Sequence, residues 1–250
     1  VALMGAPGFD DAPIVAVSHG PPKRVTFVYP YYENPNFLAL QLKLWSEYPE
    51  RLKPYLSAIV VDDGSPRNPA SESVTPRNVG FPVRFFRIRV DVRWNWLAAR
   101  NIGMHHATGW CLLTDMDHMV SAETAESLIH GAHSPKVIYR FSRREHTGAA
   151  IHPHPNSMLM TSAMFWLVGG YDEALSGHYG TDGDWRRRCA KTAKVLTLAD
   201  ELTRFEYVGD SSTTDYQRKQ PEDAGKKRII AARGPNWRPR TLSFEYHEVL

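Results

Sequence analysis

Cysteine is nearly missing: 250 residues contain two, Cys111 and Cys189. They lie far apart on segments that read as regular elements, which excludes a disulfide framework and fits packed thiols in a reducing compartment. Long apolar runs are missing too, and none approaches the ~18–20 residues that a membrane-spanning helix needs. The opening VALMGAPGFDDAPIVAVSHGPP has no basic start and is broken by Asp10, Asp11 and four prolines, so it does not read as a secretory signal. No segment repeats. Neither sign of charge dominates: 30 Lys and Arg against 27 Asp and Glu leave a net charge of +3. That mild tilt toward anionic ligands admits nucleotides, glycans and nucleic acids alike. The expectation is a soluble, cytoplasmic protein with one sizeable core.

What is present is an alternation of strand and helix patterns. Residues 1–23 read as a Pro/Gly-rich arm, loosely attached. RVTFVY (24–29) predicts a first strand, halted by Pro30 and the polar Tyr31-Tyr32-Glu33-Asn34-Pro35. Asn36 is placed to cap a helix through Phe37, Leu38, Leu40, Leu42, Leu44 and Trp45. SAIVV (57–61) predicts a second strand that stops at the turn sequence DDGSP (62–66). Strand, helix and strand in such a short span form a βαβ unit, so the two strands run parallel. VRFFRIRV (83–90) predicts a third strand with Arg84, Arg87 and Arg89 on its wet side, and a helix follows from Asn95 toward Gly109.

The stretch WCLLTDMDHMV (110–120) concentrates the chemistry. A buried strand ends in Asp115-Met116-Asp117, two carboxylates one residue apart. Like charges that close raise each other's pKa, and a divalent cation is the usual remedy. With Asp62-Asp63, these acids sit at the carboxyl ends of parallel strands, the edge where ligands bind in such sheets. Ser121 caps the next helix. Beyond it, KVIYRF (136–141) and SMLM (157–160) predict strands around a His- and Pro-rich loop, 145–156. FWLV (165–168) runs into GGYDE, a polar Gly-rich loop covers 177–183, and a basic helix covers 184–194. VLTL (195–198) predicts a strand and 221–233 a helix with proline in its first turn and Gly234 past its end. TLSFEYHEVL offers a closing strand.

Together these pieces resemble the GT-A glycosyltransferases, most closely the inverting family 2. Four blocks carry the resemblance, in the family's order: VTFVYPYY (25–32), VVDDGSP (60–66), AARNIGMHHATGWCLLTDMD (98–117), and GGYDE with GHYGTDGDWRRR (169–188). The resemblance implies an α/β GT-A fold, a mostly parallel central sheet flanked by helices. It implies a catalytic domain over 24–209, with 210–250 as an extension packed on it. The implied activity is metal-dependent, inverting transfer from a nucleotide-diphospho-sugar, a UDP-sugar, to a hydroxyl of a glycan or another acceptor, modified nucleic acid included. Mn²⁺ or Mg²⁺ is the implied cofactor. Pro30, Tyr31, Asp62 and Asp63 would hold the base, with Asp63 accepting its N–H. Arg100 would reach the nucleotide or its diphosphate, and Asp115 would face the ribose. Asp117 would bind the metal with Asp115 beside it, and His247, or behind it His178, would add a ligand. Asp182 would be the general base, and Arg188 matches a basic donor-side position. Thr181 departs from the family's usual Glu, Asn95-Trp96-Leu97 replaces the usual Asn-x-Gly, and His118 has no family role.

Plainer readings stand beside these. Asp62-Asp63-Gly64-Ser65 is also a common turn, and Asp182 and Asp184 suit a helix start. Arg186 and Arg187 read as a solvated face, HPHP (152–155) as a rigid loop, and Trp94, Trp96 and Trp166 as core. A haloacid-dehalogenase phosphatase would need Thr or Val where Met119 stands. A nucleotidyltransferase would open with a basic Gly-rich loop, and Pro30-Tyr31-Tyr32-Glu33 is none. A nucleotide-sugar-binding module without transfer activity is the alternative that Thr181 and the Asn95 region favour.

Overall fold

The run VTFVYPY is apolar without alternation because β2 (Val25–Tyr31) is buried on both faces in the middle of a sheet. The computed structural model describes residues 9–73, 79–206, 224–234 and 237–249. On one face Phe27 and Tyr29 meet Phe37, Leu38 and Trp45 of α1 (Pro35–Ser46); on the other Val28 meets Ala98, Ala99 and Ile102 of α3 (Trp96–His106). Side chains of successive strand residues point to opposite faces, so one strand feeds two cores. Gly103 sits where α3 presses closest: a Cβ there would lie 2.4 Å from Val28 Cγ1.

The expected βαβ unit is present. β2 pairs in parallel with β3 (Leu56–Asp62), β3 with β4 (Val83–Ile88), and β2 with β5 (Trp110–Leu113). The sheet turns mixed beyond β5, where β9 (Met158–Thr161) enters antiparallel between β5 and β7 (Val137–Glu145), and β10 (Lys194–Arg204) runs parallel to β7. The spatial order is β1-β10-β7-β9-β5-β2-β3-β4-β11, with β1 at Ile14–Val15 and β11 at Tyr246–Glu248. Among the described residues the remaining α-helices are α2 (Ala70–Ser73), α4 (Ala122–His130), α5 (Ser162–Val168), α6 (Asp182–Thr192) and α7 (Ala224–Ala231).

Several boundaries differ from expectation for local reasons. β2 runs through Pro30 instead of stopping there: Pro30 pairs with Val61 on β3, while pairing with β5 has already ended at Val28. The missing N–H therefore falls where no strand needs it. Asn34, not Asn36, caps α1, its side chain accepting from Phe37 N, with Pro35 at the first turn. Ser121 caps α4 as expected, accepting from Thr124 N. FWLV lies inside α5, capped by Thr161. The short β6 (His118–Val120), antiparallel to β10, had no counterpart in the sequence reading. β8 (Ala150–Ile151) pairs back on β7.

The N-terminal arm is tied down from residue 9 on. β1 pairs with β10, Arg140 Nη1 donates to Phe9 O at 2.6 Å, and Arg186 meets Asp10 at 2.8 Å. At the opposite sheet edge β11 pairs with β4. The expected boundary at 209/210 and the first residues of the 221–233 helix lie outside the described residues.

Candidate functional site

The loop after β3 is built from the chain's own acids. Asp62 accepts from Ser65 N and Ala70 N, both at 2.8 Å, so its carboxylate is consumed in shaping the turn. Buried Glu33, in the left-handed region at φ 49°, accepts from Arg67 N at 2.7 Å and Asn68 Nδ2 at 2.7 Å. Tyr31 donates to Asn68 O at 2.6 Å. Asp63 keeps one oxygen free: the residue is 4% exposed, Asn95 serves its carboxyl, and its Oδ1 has no hydrogen-bond partner. Burial, with Asp62 and Asp91 nearby, pushes its carboxyl well above the usual range. A buried acceptor without a donor is what a base N–H would complete.

At the end of β5, Asp115 and Asp117 flank buried Met116 in the turn before β6. Arg100 of α3, 1% exposed, donates to Asp115 Oδ1, and its guanidinium lies 4.6 Å from the Trp96 ring and 5.7 Å from the Tyr171 ring. His154 Nε2 lies 3.2 Å from Asp115 Oδ2, and Ser157 Oγ holds the other ring nitrogen at 3.2 Å. Asp117 Oδ1 meets His118 Nδ1 at 2.6 Å, and Arg204 Nε lies 3.5 Å from its Oδ2. Burial alone would raise the Asp117 carboxyl; the charge and hydrogen bond of His118, with His154 and Arg204, outweigh it and hold the group down at about 2. Burial pushes the His154 imidazole down to about 3 despite the carboxylates beside it.

Hard carboxylate oxygens at a half-exposed turn suit Mg²⁺ or Mn²⁺. Among the described residues no three His, Cys, Asp or Glu side chains are grouped to hold an ion by themselves. Mg²⁺ in phosphate sites takes one or two carboxylates together with the substrate's own phosphates. Asp115 and Asp117 fit that smaller requirement. His247 does not join them. It pairs with Arg87 on β4, and β11 is four strands from β5. At 4.7–4.9 Å per strand that is roughly 19 Å, far beyond ligand reach, so the expected role for His247 is corrected. The dismissed HPHP loop is what comes to Asp115, through His154.

The block GGYDE is fastened to the block AARNIG. Fully buried Asn101 accepts from Tyr171 N at 2.8 Å and donates to Tyr171 O and Glu173 Oε1, both at 2.9 Å. Gly170 (φ 70°) could not carry a Cβ without coming within 2.9 Å of Asn101 Oδ1. Arg188 belongs to the same scaffold. It is buried, pairs with Asp184 at 2.9 Å and donates to Val168 O and Gly170 O at 3.1 and 2.6 Å. Its expected donor-side role gives way to this bracing of α6 against the loop.

Asp182 opens α6, partly exposed, with Arg186 3.2 Å away one turn on. Just before it, the Tyr179 ring lies 5.7 Å from that of Trp94, which takes φ 52° in the loop after β4. Ser176 Oγ meets Asn95 Oδ1 at 2.5 Å. The buried Tyr171 hydroxyl, raised first by burial, feels the charges of Arg100, Asp115 and Asp182. The Tyr171 ring lies 5.7 Å from the guanidinium of Arg100, the partner of Asp115, and 4.6 Å from the ring of Trp185 in the first turn of α6.

The chain matches the profile of glycosyl transferase family 2 over residues 41–184, more than half its length. The chain belongs to that family. The solved structures it is similar to are glycosyltransferases of the GT-A fold. TarS 1-349 of S. aureus in complex with UDP-GlcNAc aligns with TM-score 0.60 at 14% identity, covering 75% of this chain and 60% of that one. The mannosyltransferase PcManGT of Pyrobaculum calidifontis, with GDP-Man and Mn²⁺, gives 0.57 at 16%, covering 86% and 71%. GalNAc-T7 with UDP, GalNAc and Mn²⁺ gives 0.55 at 12%, covering 75% and 45%. The chain spans about 60% of the TarS fragment. No curated protein sequence matches it. Among the described residues no helix is long and apolar enough to cross a membrane.

Proposed function

We propose that this family 2 glycosyltransferase moves a sugar from a nucleotide-diphospho-sugar, a UDP-sugar, to an acceptor hydroxyl with inversion, using Mn²⁺ or Mg²⁺. The observation that carries the reading is the packing of the Tyr171 ring, 5.7 Å from the guanidinium of Arg100, which pairs with Asp115, and 4.6 Å from the ring of Trp185, three residues after Asp182 on α6. Similarity to structures holding UDP-GlcNAc, or GDP-Man with Mn²⁺, supports it.

In this reading Asp63 accepts the N–H of the base, beside Tyr31, Pro30 and the turn that Asp62 shapes. Arg100 orients Asp115 toward the ribose side. Asp117, with Asp115, would hold the cation, which when bound supplies positive charge to the departing diphosphate. Asp182 takes the proton of the acceptor hydroxyl as its oxygen bonds to the anomeric carbon and the bond to the diphosphate oxygen breaks. Arg186 fixes the Asp182 side chain from the next turn. An acceptor glycan, or a hydroxyl on modified nucleic acid, would enter over the loop 145–156.

The test is a screen of UDP-, GDP- and dTDP-sugars with Mn²⁺ or Mg²⁺, scoring donor hydrolysis and transfer. Turnover of a UDP-sugar supports the reading, and turnover of another donor alone corrects the nucleotide. The alternative of a binding module without transfer is favoured by Thr181, whose buried hydroxyl has no partner where the family carries Glu. Donor binding without hydrolysis or transfer would select it.

A further inference from the structure

We infer that Arg143, on β7, is a further donor-binding residue whose guanidinium grips the terminal phosphate of the nucleoside diphosphate. The inference rests on the donor reading above and extends it to a residue that no sequence motif marks. Arg143 Nη1 lies 3.1 Å from His118 Nε2, and His118 Nδ1 lies 2.6 Å from Asp117, so one imidazole separates the guanidinium from the carboxylate.

The neighbouring arginines are spoken for. Arg100 pairs with Asp115, Arg140 with Asp10, Arg144 with Glu201, and Arg204 with Asp117 and Glu145. Arg143 has no carboxylate within ion-pair distance among the described residues, and its Nε is buried without a partner. Asp117, Glu145 and Asp115 lie near enough to be felt but none touches it. A guanidinium stays charged, and a half-buried one without a contacting carboxylate gains most from an anion that reaches its free N–H groups.

Sheet order says which anion. Asp63 lies at the end of β3 and the Asp115–Asp117 turn at the end of β5, with β2 between them; β7 lies beyond β5. A nucleotide with its base at Asp63 and its phosphates at Asp117 therefore presents its last phosphate toward Arg143. The planar fork of arginine matches two phosphate oxygens at once.

The experiment is calorimetric titration of the full chain with UDP and with UMP, in Mn²⁺ and in EDTA. Wild type, Arg143→Ala and Arg143→Lys are compared, each checked by its thermal midpoint. Loss of a charge-assisted hydrogen bond predicts UDP weakened about 10- to 100-fold by Arg143→Ala in both conditions, with UMP unchanged. Arg143→Lys keeps the charge without the fork and should weaken UDP by less. If Arg143→Ala fails to fold, selective UDP loss in the lysine variant carries the test. Equal weakening of UDP and UMP, or of neither, overturns the inference while leaving the donor reading standing. Wild type is titrated with GDP and dTDP as well, and binding of none of the three diphosphates removes the donor reading and this inference with it.

Discussion

Asn101→Ala should cost about 3–5 kcal/mol of folding stability. The side chain is fully buried and makes three hydrogen bonds of 2.8–2.9 Å, to Tyr171 N, Tyr171 O and Glu173 Oε1. Each bond is worth about 1 kcal/mol net, but truncation strands the partners, and a buried unsatisfied group costs about 1–3 kcal/mol. Glu173 keeps the amide of Ser243 at 2.5 Å on its other oxygen, so the full penalty falls on the Tyr171 backbone. Against a total of about 5–15 kcal/mol for a typical domain, the loss is large. Equilibrium urea unfolding of wild type and variant reads it directly as a lower midpoint at constant slope. Asn101→Asp serves as a control. It keeps the acceptor for Tyr171 N, loses both donors and sets a second carboxylate against Glu173, so it should be at least as damaging. A loss under about 1 kcal/mol for Asn101→Ala would refute the claim that this residue fastens the GGYDE loop to α3.

Three further outcomes follow from the same geometry. Gly103→Ala drives a methyl to 2.4 Å from Val28 Cγ1 and should cost about 1–3 kcal/mol by overpacking; an unchanged melting temperature would show that α3 can back away from β2. Burial lowers His133 to about 4 and His154 to about 3, so their contribution is complete above the unfolded value near 6.5 and is lost as pH falls toward those values. Stability should decline from pH 6.5 to 4, less steeply in His133→Phe, and a flat wild-type profile would contradict this. Asp63→Ala removes the buried acceptor and should weaken UDP about tenfold or more; unchanged UDP affinity would take the base contact away from Asp63.

The strand-end half of the candidate site was legible because its signals are local. Unbroken apolar strands ending in acids, and a βαβ spacing, name the edge of a parallel sheet from a few residues at a time. The other half of the site is made by long-range pairing. β6 is three residues long and exists because β10 returns beside it. His154, Arg143 and Arg204 come to Asp115, His118 and Asp117 respectively from three separate strands and loops, and their local sequence carries no mark of that destination. The HPHP spacing read as a loop, which residues 152–155 form, but gave no hint of where the ring would point. His247 failed for the same reason: a late histidine fits a family habit, while the edge position of β11 is set by pairing with β4. Arg188 shows the opposite error, a basic residue beside the candidate base whose charge is spent on Asp184 and two carbonyls.

In the proposed mechanism Asp117 serves the donor's diphosphate and cation while Asp182 serves the acceptor. Parallel calorimetry and turnover on Asp117→Ala and Asp182→Asn test it most directly. Asp117→Ala should lose the Mn²⁺-dependent part of UDP binding along with turnover, whereas Asp182→Asn should bind UDP as wild type does and transfer nothing. Near-normal transfer by either folded variant, or loss of UDP binding in Asp182→Asn, would contradict it.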